Sequence, residues 1–278
     1  MLAKAFVFYV KYSQPSMAVY VKKRKKLQIF GVAVWNARFV SVLRIMKKGG
    51  WIMRIGFITD GGAEKYASDL EKREGYDGET GADIYLFGFH GKPQVSYEKE
   101  LKGETTFFED AAILSKRTKS VVVCGCVTDT CGHKRKSALV AENGRLLGVS
   151  DMTHAIDGEV GSGAALRVYD TKIGRMGVAV AEDLTFPDVI RSLAVCGSDF
   201  IVCPYGKTGQ MQGILLRAGA YCYGVPILFC GDGYCMLVDA AGEVAYASPI
   251  SPSFIHLKTQ KEYHLVETRR RGVWGNDF

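Results

Sequence analysis

The sequence predicts an α/β domain, and three observations carry that expectation. Short apolar runs recur from Arg54 onward, with segments between them whose apolar side chains stand three and four apart. These are the two periods that distinguish strands from amphipathic helices. Tight-turn signals punctuate the pattern at Glu142-Asn143-Gly144-Arg145 and Ala240-Ala241-Gly242-Glu243. The chain has 278 residues, 47% of them apolar, and no apolar run long enough to span a bilayer, which suits one domain with a substantial core.

Taken in order, strand-like runs are expected at Arg54 to Thr59, Asp83 to Phe87, Ser120 to Val127, Ala165 to Tyr169, Met176 to Ala181, Phe200 to Cys203 and Pro226 to Phe229. Helices are expected at Asp110 to Lys116, Pro187 to Val195 and Gly209 to Tyr223. Pro187 fits a first helical turn, where the N–H that proline lacks has no intrahelical partner anyway. The Asn-Gly and Gly turns predict hairpins, because those residues adopt the positive φ that such turns require.

Charge divides the chain. The formal net charge is +7, yet residues 1–52 contain eleven Lys and Arg and no Asp or Glu, leaving 25 bases against 29 acids in the rest. Residues 1–52 are therefore expected to be a basic leader, not native or disordered, and residues 53–278 the domain. A targeting sequence, or a basic arm for nucleic acid or membrane built on Lys22-Lys23-Arg24-Lys25-Lys26, competes with that reading. The run Lys47-Lys48-Gly49-Gly50 matches translation of a purine-rich ribosome-binding stretch, and Met53 opens the first strand. Met53 is accordingly the expected native start, and the domain itself is expected to take neither nucleic acid nor membrane.

Eight cysteines lie mostly inside apolar strand or helix patterns, as reduced, buried thiols of a cytoplasmic protein do. Cys124, Cys126, Cys131 and His133 fit no standard closed zinc spacing. No metal and no cofactor are expected.

The most informative segment is Gly177-Val178-Ala179-Val180-Ala181-Glu182-Asp183-Leu184-Thr185-Phe186-Pro187-Asp188, an apolar strand that stops at two acids and re-enters a helix after a proline. It resembles the nucleophile turn of the nitrilase superfamily, the carbon-nitrogen hydrolases, with pattern G-x-x-I-C-Y-D-x-R-F-P-E. Ala181 falls on the Cys of that pattern and Asp183 on its Asp. Gly81-Ala82-Asp83-Ile84-Tyr85-Leu86-Phe87-Gly88-Phe89 resembles G-A-D-L-V-V-F-P-E, with Phe89 on the general-base Glu. Leu147-Gly148-Val149-Ser150-Asp151-Met152-Thr153-His154 resembles L-G-x-Y-R-K-x-H, with Met152 on the Lys that stabilises the oxyanion. Gly197 to Pro204, Leu215 to Ala218 and Val238 to Glu243 extend the likeness, so six segments match in family order. The resemblance implies a nitrilase-like four-layer α-β-β-α sandwich and a homodimer. Between Thr59 and Gly81 the family's first helix is expected to be short or frayed, since Gly75 and Gly78 each disfavour helix by about 1 kcal/mol relative to Ala.

Hydrolysis in this family is implied to run through a thioester, which needs a thiolate, a base for its proton and a cation for the tetrahedral oxyanion. Ala181, Phe89 and Met152 supply none of these. Removing one nucleophile from such a unit costs about a million-fold in turnover, roughly 8 kcal/mol of barrier. No catalytic residue is therefore expected, and the three triad positions read as degenerate.

Pocket candidates remain. Cys203 and Cys230 end strands near the implied pocket rim and stand as displaced nucleophiles, with Glu182, Glu159 or His90 as base, or as small buried apolar side chains. Asp183 occupies a position better suited to a structural role, while Glu182 replaces an aromatic. His90 faces the site only if its strand slips by one residue, and the match through Phe87 opposes a slip. The expected function is a non-hydrolytic carbon-nitrogen hydrolase family protein that binds a small amide or carboxylate ligand, or a partner. The alternative is an active amidohydrolase on a non-peptide C–N bond with Cys203 or Cys230 as relocated nucleophile.

Overall fold

A computed structural model describes residues 7–10, 16–23 and 26–34 by their backbone, and residues 52–63, 65–66, 81–91, 93–156, 158 and 160–258 in full. Residues 1–48 form a unit of their own. In it β1 (Val7–Val10), β2 (Ser16–Lys23) and β3 (Lys26–Val34) pair as a three-stranded antiparallel sheet.

In the second unit the layers follow from strands that are apolar on both faces. All four residues of β5 (Ile84–Phe87) are buried. Because side chains alternate along a strand, Ile84 and Leu86 enter one core while Tyr85 and Phe87 enter another. A strand of this kind needs cover on both sides, one side from a second sheet and the other from helices.

The first sheet runs β16-β4-β5-β7-β8-β9, with β6 (Gln94–Ser96) paired to β7. Its strands are β4 (Ile52–Ile58), β5, β7 (Val121–Thr130), β8 (His133–Glu142), β9 (Arg145–Asp151) and β16 (Ser253–Lys258). The central β4, β5 and β7 are parallel, and the β8–β9 hairpin and β16 extend the sheet antiparallel. The second sheet runs β10-β11-β12-β13-β14-β15. Its strands are β10 (Val168–Thr171), β11 (Gly174–Val178), β12 (Phe200–Lys207), β13 (Ile227–Asp232), β14 (Tyr234–Val238) and β15 (Val244–Ser248).

One buried cluster lies between the sheets, drawing Ile55, Phe57, Leu86 and Val123 from the first and Val178, Phe200, Val202 and Leu228 from the second. Outside the first sheet, Ala111 and Leu114 of α2 (Phe107–Arg117) pack on Tyr85, Phe87, Val122 and Leu139. The short α1 (Tyr97–Lys102) precedes it. Beyond the second sheet, Val189, Ile190 and Leu193 of α3 (Pro187–Val195) and Leu216 and Ala220 of α4 (Gln210–Tyr223) pack on Ile201, Ile227 and Phe229. The result is the four-layer α-β-β-α sandwich. Among the described residues no helix is long and apolar enough to cross a membrane.

Two expected strands end elsewhere. The run expected as Met176 to Ala181 leaves the sheet after Val178, and Ala181 instead opens a 3-10 turn, Ala181–Thr185, with φ +49°. That conformation ends ladder pairing. The run expected as Ala165 to Tyr169 pairs three residues later, as Val168–Thr171 against Gly174–Gly177. The Asn143-Gly144 turn has φ +50° and +77° and joins β8 to β9 as expected. Of the helix expected between Thr59 and Gly81, residues 64 and 67–80 lie outside the described residues.

Candidate functional site

Three devices bring distant segments to one place. The first is the turn after β11. Ala179 N–H donates to Val202 O and keeps the chain beside β12. Ala181 then sits in the left-handed region at φ +49°, which costs a residue with a Cβ about 1 kcal/mol.

The second device is the approach of the two sheets at Gly88. A Cβ there would lie 2.8 Å from Tyr205 O and 2.9 Å from Cys230 O, so only glycine fits. Phe89 N–H donates to Tyr205 O at 2.9 Å and ties the end of β5 to β12 across the sandwich.

The third is Asp183. Its carboxylate is wholly buried and accepts from Thr153 N–H and from the Thr153 hydroxyl and His154 N–H, at 2.9 to 3.0 Å. His154 stacks on Phe186 with centroids 4.1 Å apart and places Nδ1 3.3 Å from Asp183 and Nε2 3.6 Å from Asp188. Asp183 thereby fastens the end of β9 to the turn that begins at Ala181. Its place in the structure is that of a bracket between segments.

These devices put Phe89, Met152 and Ala181 in the same buried apolar cluster between the sheets, with Cys230 in it as well. The Phe89 ring lies directly over Gly125 of β7. Met152 N–H donates to Lys136 O at 2.8 Å, so Met152 continues the sheet edge beside β8.

Glu182 leaves the apolar floor and pairs with Lys136, with Nζ 2.7 Å from Oε1. Lys136 was no candidate in the sequence. Its signal is parity: it lies two residues before Ala138 and four before Val140, both of which face the inter-sheet core. From that face of β8 the Lys136 side chain reaches Glu182 and stays partly exposed.

The other candidates separate. Cys203 belongs to the layer between the second sheet and its helices, on the opposite face of β12 from Val202. Burial pushes its thiol far up, and the Asp183 and Glu182 charges add to the effect. Cys230 is in the inter-sheet core, its thiol raised by burial and then by Cys235. Tyr205, buried near Glu182, accepts from Gln212 Nε2 at 3.1 Å; burial raises its phenol, against the lowering effect of that bond. His90 is exposed. Glu159 lies outside the described residues. All eight cysteines are free thiols, and no group of three or more metal-ligating side chains occurs among the described residues.

The carbon-nitrogen hydrolase family model matches residues 82–252, which includes all three devices. The chain belongs to the carbon-nitrogen hydrolase family. Among curated relatives it is 32% identical over 113 residues to a deaminated glutathione amidase of Yersinia enterocolitica, a match that covers 35% of this chain and 40% of that protein. The chain thus aligns with well under two thirds of that relative's length. Among solved structures, Nit3 of Saccharomyces cerevisiae, a member of branch 10 of the nitrilase superfamily, superposes with a TM-score of 0.64 at 16% identity, covering 81% of this chain and 96% of that one. A carbon-nitrogen hydrolase of Helicobacter pylori gives 0.63 at 17% identity, covering 79% and 92%. An amidase from Nesterenkonia gives 0.61 at 17%, covering 81% and 98%. At such identities the superpositions establish the nitrilase fold for this carbon-nitrogen hydrolase family member.

Proposed function

We propose that this carbon-nitrogen hydrolase family protein does not hydrolyse C–N bonds, and that it uses the family scaffold to hold a small amide or carboxylate ligand or a protein partner. The observation that carries the reading is the common burial of Phe89, Met152 and Ala181 in one apolar cluster. A thiolate, a base and a cation cannot be drawn from those three side chains. Two solved Nesterenkonia amidase structures carry adducts on an active-site cysteine, whereas the position read here as the nucleophile is alanine.

The relocated-cysteine alternative is weaker. Cys203 and Cys230 are 0% exposed and their thiols are pushed up rather than down, the reverse of an activated nucleophile. As a homodimer, the protein would use α4, where Met211 and Ile214 are exposed, and sedimentation of the full chain tests that part.

The deciding experiment is ammonia release by the full chain across amides, ureas, N-carbamoyl compounds and nitriles, with Cys203→Ala and Cys230→Ala beside it. No turnover from folded protein is the expected result. Turnover abolished by either substitution would overturn the proposal and establish a relocated nucleophile.

A further inference from the structure

The β8–β9 hairpin turns on Asn143-Gly144, the one Asn-Gly pair in the sequence. That dipeptide carries a chemistry of its own, because a glycine without a side chain leaves its amide nitrogen open to the preceding carboxamide. Asn143 is exposed, and at φ +50° it holds the left-handed conformation that asparagine tolerates. The neighbouring nitrogen is engaged, however. Gly144 N–H donates to Ser115 Oγ of α2 at 3.0 Å, and Ser115 is wholly buried. The Ser115 hydroxyl donates in turn to Ala112 O at 2.7 Å. Its proton is thereby committed to the helix, and toward Gly144 the oxygen acts as an acceptor.

We propose that Asn143 is a site of intramolecular deamidation and that Ser115 is the positioning residue that sets its rate. In the first step Gly144 N gives up its proton to water or hydroxide and attacks Asn143 Cγ. The N–Cγ bond forms, the Cγ–Nδ2 bond breaks, and Nδ2 takes up a proton and leaves as ammonia. A five-membered imide remains in the chain. Water then opens one of its two carbonyls, giving aspartate or isoaspartate at 143. Ser115 restrains the first step in two ways: it holds the proton that must leave, and it ties the Gly144 peptide plane to α2 so that the nitrogen does not swing to meet Cγ. The two products differ in consequence. Aspartate keeps the turn, since it tolerates the same φ. Isoaspartate adds a methylene to the main chain, and because loop length fixes hairpin register it breaks the Glu142–Arg145 pair beside the turn.

Incubation of the full chain at mildly alkaline pH tests this, with peptide mass spectrometry resolving the two acid isomers at residue 143. Native wild type should gain them slowly, and Asn143→Gly, which suits the same φ, should lose the signal. Ser115→Ala frees the Gly144 N–H and should raise the rate by about tenfold, the factor that one hydrogen bond supplies. Hydrogen exchange at the Gly144 amide should speed up with it. Unfolding in urea releases the turn as well as the bond, and should accelerate the reaction at least as much. Ser198→Ala removes a comparable buried hydroxyl, one that donates to Leu193 O beyond the second sheet, and should leave the rate at 143 at the wild-type value. The proposal is overturned if acid forms at 143 no faster in urea than in the native state, a comparison that needs no variant to fold. It is equally overturned if folded Ser115→Ala matches wild type, or if Ser198→Ala accelerates the reaction as much as Ser115→Ala does.

Discussion

The ring of Phe89 occupies the space that a side chain at Gly125 would need: a Cβ at 125 would stand 2.5 Å from Phe89 Cδ2 and 2.8 Å from Cε2. The two residues are therefore coupled, one by what it fills and the other by what it lacks. Gly125→Ala should destabilise the fold by about 2 kcal/mol, the usual cost of forcing a ring from a packed interior. In a Phe89→Ala background the same substitution should cost markedly less, with a coupling of about 1 kcal/mol or more between the two sites. Urea denaturation of the four proteins of that cycle measures it, and additive effects would show that the ring does not depend on the glycine.

Asp183 should matter more to stability than any other acid near the site. Asp183→Ala strips the acceptor from Thr153 N–H, the Thr153 hydroxyl and His154 N–H together. The expected loss is about 3 kcal/mol, since buried donors are left without partners. Thr153→Val removes the hydroxyl's contacts with Asp183 and His154 Nδ1 but keeps both backbone bonds, and should cost about 1 kcal/mol. Chemical denaturation distinguishes this from a role in ligand binding, where both variants would keep wild-type stability.

Thiol chemistry should sort the cysteines by depth. Cys131, Cys196 and Cys222 are exposed, whereas Cys124, Cys126, Cys203, Cys230 and Cys235 are buried. Titration of the native protein with a disulfide reagent should show three fast thiols, with the other five reacting only on unfolding. Fast modification of Cys203 or Cys230, read by peptide mass, would revive the relocated-nucleophile reading.

Cys131 should be the least reactive of those three near neutral pH, and Glu98 is the reason. The thiol donates to Glu98 Oε1 at 3.0 Å, and this bond, the Glu98 charge and then the Asp129 charge raise its pKa. A raised pKa keeps the neutral thiol to higher pH, so less thiolate is present at any pH below it. Glu98→Gln should move the alkylation profile of Cys131 to lower pH and speed the reaction several-fold near pH 8. An unshifted profile, followed with iodoacetamide and peptide mass spectrometry, would mean that the bond does not persist in solution.

Much of the fold was legible before any coordinates. The apolar runs from Arg54 to Phe229 and the Asn143-Gly144 turn are local signals, and local signals decide whether a segment is strand, helix or turn. The Pro187 to Val195 helix was legible to the residue, because a proline fits the first turn and the apolar spacing runs through to Val195. Less legible was the end of β11, where a run that stays apolar through Ala181 leaves its sheet after Val178. Apolar content reports burial, and burial continues past the point where hydrogen bonding stops.

By itself the sequence determined the family, the central strands and helices though not β6, α1 or β16, and the residues at 89, 152 and 181. Tertiary structure alone decided which side chains meet. Lys136 on β8 and Glu182 in the turn after β11 are 46 residues apart, and their contact depends on the register of β8 against its neighbours and on how one sheet lies over the other. Cys203 and Cys230 look alike in sequence, yet strand parity sends one to the helical layer and the other to the inter-sheet core. Such outcomes are set by a strand's neighbours and by which of its faces meets which layer, and neither is written in the local sequence.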